Sequence, residues 1–174
     1  MTDLADQALA AGVGRPETFE ELVAATGDRM LRTAVLLTGD RHAAEDLVQS
    51  TYAQVFARWR LVSRAENPAA YTRTILTRLF LSDRRRKRVP ELPLLEGTDS
   101  VAAPSDPTLR LSLIEALATL PPLDRAVLVL RYFHDLPVAE VADQTGLSAA
   151  ACRTRASRAL ARLRTHFPDL EDPR

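Results

Sequence analysis

The stretch Gly146–Arg164, GLSAAACRTRASRALARLR, holds five arginines and no acidic residue, in a chain whose 23 basic groups balance 23 acidic ones. Ser148 can cap a helix that starts there. Along that helix Cys152, Ala156, Ala159, Leu160 and Leu163 fall at i, i+4, i+7, i+8 and i+11, which draws one continuous apolar stripe. At about 100° per residue, Thr154 and Arg158 point away from the stripe, with Arg155, Ser157 and Arg162 beside them. The arginines are gathered on one outward face.

Immediately upstream, PVAEVADQT (137–145) reads as a short helix started by Pro137 and ended by Gly146. Val138, Val141 and Ala142 give it an apolar side, and small Ala142 permits a close helix crossing. Gly146 supplies the left-handed backbone such a tight turn needs, and Leu147 plugs the angle between the helices. A short helix, a glycine-bearing turn and a longer basic helix form the plan of a helix-turn-helix. The N-terminal half of the second helix then offers hydrogen-bond donors to a DNA groove, and its N-terminus favours phosphate. The competing reading is a basic solvated face, or a helix lying on a membrane surface. The preceding short helix and the two turn residues weigh against both.

Ala, Leu and Arg dominate the 174 residues, aromatics make up 5 %, and only six glycines occur, a composition that favours an all-α protein. Cys152 is the only cysteine, so an intramolecular disulfide is impossible and no metal site or cofactor is expected. The N-terminus lacks the basic and apolar blocks of a signal peptide. No apolar run approaches the roughly 18–20 residues that span a bilayer, so a cytoplasmic protein without membrane contact is expected.

Working outward, residues 1–16 read as a flexible arm. Phe19, Leu22, Val23, Leu31, Ala34, Val35 and Leu37 recur at helical spacing up to Gly39. Asp40 caps a second helix bearing Leu47, Val48, Thr51, Val55, Phe56 and Trp59. After a break at 61–66, Asn67-Pro68 opens a third helix that ends in RRRKR (84–88). Its arginines and Tyr71 suit phosphate contact with stacking on an unpaired base, or else Tyr71 is core and RRRKR merely favours the helix C-terminus. Residues 89–107, VPELPLLEGTDSVAAPSDP, hold four prolines and no basic residue, which marks a flexible acidic linker. LRLSLIEALATL and LDRAVLVLRYF form two more helices before the helix-turn-helix. The fold expected is two small helical domains, 17–88 and 108–167, the second of four helices, followed by a tail over 168–174.

Four strings in this order, LLTGDRHAAEDLVQSTYAQVFARW, NPAAYTRTIL, LPPLDRAVLVLRYFHDLPVAEVADQTGLS and CRTRASRALARLR, resemble the extracytoplasmic-function (group 4) sigma factors of the sigma-70 family, of actinobacterial type. The resemblance covers about residues 17–167. It implies a promoter-specificity subunit without catalytic activity, whose domain 2 occupies 17–88 and domain 4 occupies 108–167. It implies that Asp46, Gln49, Gln54 and Arg58 dock on the β′ clamp helices of core RNA polymerase. It places Asn67, Tyr71, Arg73, Thr74 and Arg78 at the −10 promoter element, and Arg153, Thr154, Arg155, Ser157 and Arg158 at the −35 element. The β flap, promoter DNA and an anti-sigma factor are the further partners it implies. Arg78 stands where the family usually has Asn, and Cys152 where it usually has Val.

Two other readings start from the residues. His42 and Asp46, at i and i+4, could share a metal, but no second pair with ligand spacing accompanies them. A stand-alone helix-turn-helix regulator explains the C-terminal half equally well. It leaves unexplained the second Arg-terminated helix and the strings around Asp46 and Trp59.

Overall fold

The computed structural model describes residues 16–86 and 107–166, and every regular element among them is helical. The expected arm, linker and tail fall outside these residues, save for Pro16 and Pro107 at their borders. Helix α1, Phe19–Thr38, begins with a capping box: Thr18 Oγ1 accepts from the Glu21 N–H, and the Glu21 carboxylate accepts from the Thr18 N–H. It stops at Gly39, whose φ of +75° ends the helix in a left-handed cap. A Cβ there would sit 3.1 Å from Ala118 Cβ, so this turn needs glycine for both conformation and space.

Asp40 caps α2, Arg41–Ala57, by accepting from the Ala43 N–H at 2.7 Å. A four-residue turn of helix, α3 (Trp59–Val62), leads to α4, Pro68–Arg86. There Asn67 Oδ1 accepts from the Ala70 N–H at 2.9 Å, as the Asn67-Pro68 start signal requires. Leu22, Val55, Val62 and Ile75 close the core of this half, and Phe19 packs edge-on against Tyr52, Phe56 and Trp59. Burial pushes the Tyr52 hydroxyl above its ordinary pKa, with the Thr26 hydrogen bond pulling the other way.

The second half comprises α5 (Pro107–Ala118), α6 (Pro122–Leu128), α7 (Val138–Thr145) and α8 (Ala149–His166). The helix expected over LDRAVLVLRYF departs from the α pattern at Val129–Phe133, where it widens into a π turn. The His134 N–H closes that turn on the Val129 carbonyl, five residues back, at 3.1 Å. The wider turn carries His134 inward. The apolar stripe of α8 is buried as its spacing requires: Cys152, Ala156 and Ala159 meet Leu117, Val127 and Val141.

Although the sequence reads as two domains on a linker, a third cluster belongs to both. Met30, Ala34, Leu37, Leu76 and Phe80 from the first half enclose Ala126 and Val129 from the second. Arg125, 6 % exposed, donates across the same seam to the Leu37 carbonyl at 2.6 Å. In the same fan it donates to the Ala118 and Leu120 carbonyls at 2.7 and 3.0 Å, which the end of α5 leaves without helical partners.

Candidate nucleic-acid interface

The turn into α8 has the chemistry its sequence demands. Gly146, at φ +72°, donates its N–H to the Ala142 carbonyl, and Ser148 Oγ accepts from the Ala151 N–H at 3.1 Å. This aims α8 outward with Arg153, Thr154, Ser157 and Arg158 exposed along one side. The Thr154 hydroxyl donates to its own helix, at the Ala150 carbonyl, 3.0 Å away.

Arg155 differs from its neighbours. Its Nη1 lies 2.6 Å from Asp124 Oδ1, and the Asp124 side chain is only 9 % exposed. Arg162 approaches the other oxygen of Asp124 at 4.0 Å. Arg155 is thereby a brace from α8 to α6, held short of the open face that Arg158 occupies.

A groove of about 320 Å³ runs between α8 and the π turn, with Arg131, Tyr132, Arg153 and Arg164 around it and Cys152 in its lining. Arg131 and Tyr132 were not singled out by the sequence, because LVLRYF reads there as one more core helix. Tyr132 is exposed, with the Arg131 guanidinium 5.9 Å from its ring centre. Burial pushes the Cys152 thiol up, opposed by the nearby Arg131 and Arg153 charges. A buried protonated thiol of this kind packs as a small apolar side chain.

In the first half, α4 returns alongside α2 and leaves a groove of about 360 Å³ between them. Tyr71, Thr74 and Arg78 line it from α4; Gln54 lines it from α2 and Arg58 from the cap that ends α2. The family resemblance groups Gln54 and Arg58 with Asp46 and Gln49 instead. Eight residues of helix, about 12 Å of rise, separate Asp46 from Gln54. Asp46 and Gln49 are both exposed, one turn apart. His42 pairs with Glu45 at 4.0 Å, and Glu45 with Arg41 at 2.8 Å. Among the described residues no group of three His, Cys, Asp or Glu could hold a metal.

Two of the five residues expected at the −10 element are held by the fold. Asn67 spends its side-chain oxygen on the helix cap. Arg73 is 5 % exposed and reaches Glu140 of α7, with Nη2 3.0 Å from Oε1. Gln144 donates to the same oxygen at 3.1 Å. The face of α4 that carries Arg73 is thus covered by the first helix of the helix-turn-helix, while Tyr71, Thr74 and Arg78 face the groove.

Comparison with known proteins follows the same division. Residues 13–89 match Sigma-70 region 2 and residues 110–163 match Sigma-70, region 4. The RNA polymerase sigma-E factor of Streptomyces coelicolor is 31 % identical over 87 % of this chain and 87 % of its own length. The ECF RNA polymerase sigma factor SigE of Mycolicibacterium smegmatis is 34 % identical over 86 % of this chain and 62 % of its own length. Among solved structures, the sigma factor RpoE of Bartonella quintana, bound to the anti-sigma factor NepR, superposes with a TM-score of 0.72 at 21 % identity, covering 88 % of this chain and 98 % of that one. The chain belongs to the extracytoplasmic-function sigma factors of the sigma-70 family.

Proposed function

We infer that the two basic surfaces divide promoter recognition between them, the groove of α2 and α4 taking the −10 element and the open face of α8 the −35 element. The chain is a promoter-specificity subunit of RNA polymerase with no catalytic activity of its own. One observation carries the division of labour: Tyr71 lines one groove together with Arg58 and Arg78, and an aromatic ring in a groove with two cations suits an unpaired nucleotide. Ring stacking is worth about 1–3 kcal/mol per base, and the guanidiniums supply the phosphate contact.

On α8, exposed Arg158 and Ser157 are the base-reading candidates, with Arg153 beside them. Asp46 and Gln49 form the docking surface for the β′ clamp helices of core polymerase, and the second half meets the β flap. This reading puts the protein in the cytoplasm, where polymerase works. It also allows an anti-sigma factor as a partner, by extension from the Bartonella relative.

The test is run-off transcription with purified core polymerase, with and without this chain, on a pool of genomic promoters. Discrete transcripts that depend on the chain are expected; tight binding to duplex DNA with no transcripts would support a stand-alone regulator. Two variants resolve the α2 residues. Asp46→Arg is expected to weaken core binding at least tenfold. Arg58→Ala is expected to leave core binding within twofold while lowering permanganate reactivity of the melted −10 strand. Weaker core binding in Arg58→Ala, with melting normal once holoenzyme is saturated, returns that residue to the docking surface.

A further inference from the structure

The seam between the halves closes around a histidine. His134 follows the π turn, is 2 % exposed, and reaches across to α1. Its Nε2 lies 2.9 Å from Thr33 Oγ1 and its Nδ1 3.4 Å from Arg29 Nη2. The Thr33 hydroxyl donates its proton to the Arg29 carbonyl, 2.7 Å away. Toward the ring its oxygen therefore accepts, so the hydrogen sits on Nε2. A guanidinium only donates, so Nδ1 accepts from Arg29. Both contacts are satisfied by one form of the ring, the neutral Nε2–H tautomer.

Protonating Nδ1 would set a donor against a donor and a second positive charge beside the first, in a site shielded from water. Arg29 is a charged side chain that α1 turns to the ring. On the histidine's own segment, Phe133 lies edge-on at 5.0 Å, and Asp135, next in the chain, is exposed. On α7, Glu140 is engaged with Arg73 of α4.

We propose that the contact between the two halves is a proton-sensitive latch, closed while His134 is neutral and released when it is protonated. The closed form has a consequence for DNA reading: it buries Arg73 under Glu140, so that guanidinium cannot reach a promoter until the halves part. That consequence rests on the proposed −10 role of α4; the latch does not. In the closed form His134 binds no proton. In the open form it titrates near the ordinary value of about 6.5. Acid therefore favours opening, and the closing equilibrium falls by up to about tenfold per pH unit below that value.

The experiment is small-angle X-ray scattering of the full chain without polymerase, from pH 7.5 to 5.0, with far-UV circular dichroism at each point. The wild type is expected to show its smallest radius of gyration at pH 7.5 and to expand toward pH 5.0 while keeping its helicity. His134→Gln, which retains an N–H for Thr33 and does not titrate, is expected to keep one radius throughout. Arg29→Gln removes the opposing charge, so its expansion should move to lower pH. Imidazole nitrogen shifts of the wild type at pH 7.5 should report the neutral Nε2–H tautomer at His134, a readout that survives any failure of the variants to fold. A constant wild-type radius, equal expansion in His134→Gln, or a protonated His134 at pH 7.5 overturns the latch. None of these outcomes involves promoter or polymerase, so the sigma-factor reading stands or falls separately.

Discussion

Replacing Arg125 by alanine is expected to lower the unfolding free energy by about 3–5 kcal/mol. The guanidinium is 6 % exposed and donates to three carbonyls, of Leu37, Ala118 and Leu120. Each hydrogen bond to a charged group contributes about 1.5–3 kcal/mol, and a straight sum exceeds the expectation because water enters a truncated site and serves some of these acceptors. The Ala118 carbonyl ends α5, that of Leu120 follows two residues on, and that of Leu37 lies in the last turn of α1, so the loss frays both helices at the seam. In a chain of this length the change corresponds to a drop of roughly 10 °C in Tm. Arg125→Lys keeps the charge but lacks the planar fork, and should recover less than half of the loss. Equilibrium urea unfolding of the three proteins measures this; a loss below about 1 kcal/mol for Arg125→Ala would mean that the fan of bonds contributes little.

The same residue shows where the sequence stops being readable. Its local signals were sound. Gly39 and Gly146 end helices with positive φ, and Asp40, Asn67 and Ser148 cap them with their side chains. Caps and stripes are local, involving residues within one or two turns of each other, and the helix they belong to decides them. Arg125 looks in sequence like one polar position on a short helix, because the Leu37 carbonyl that holds it is 88 residues away.

Arg73 and Glu140 are 67 residues apart and Asp124 and Arg155 are 31 apart. A helical wheel states which way an arginine points, and it carries no information on what will cover it. That is why Arg73 and Arg155 could be grouped with Arg78 and Arg158, from which the packing separates them. Cluster formation across the seam was hidden for a related reason. Ala34 and Leu37 read as the core of their own domain, and only the tertiary arrangement gives them Ala126 and Val129 as further neighbours. The π turn was hidden too, since VLRYF has no residue that forbids an ordinary helix; tertiary packing that draws His134 inward selects the wider turn.

Arg155 and Arg158, three residues apart on the recognition helix, are expected to fail in different ways. Arg158→Ala should cost about 1–3 kcal/mol of binding at one −35 base pair and little elsewhere, because its side chain is exposed and has only DNA to lose. Transcription from a set of single-base −35 variants reads this directly: the wild type discriminates at one position and the variant does not. Arg155→Ala should instead destabilise the fold by about 2–3 kcal/mol, since Asp124 would remain nearly buried with only Arg162, at 4.0 Å, to answer its charge. Its effect on transcription should be uniform across the −35 set. A double-mutant cycle with Asp124→Asn separates the two roles: if the pair is a brace, the coupling energy exceeds about 1 kcal/mol and the second change costs less in the presence of the first. Additive losses, together with base-selective transcription in Arg155→Ala, would place Arg155 in the groove and Asp124 outside the brace. The distinction matters because both residues sit on the most basic helix of the chain, and charge alone assigns them the same task.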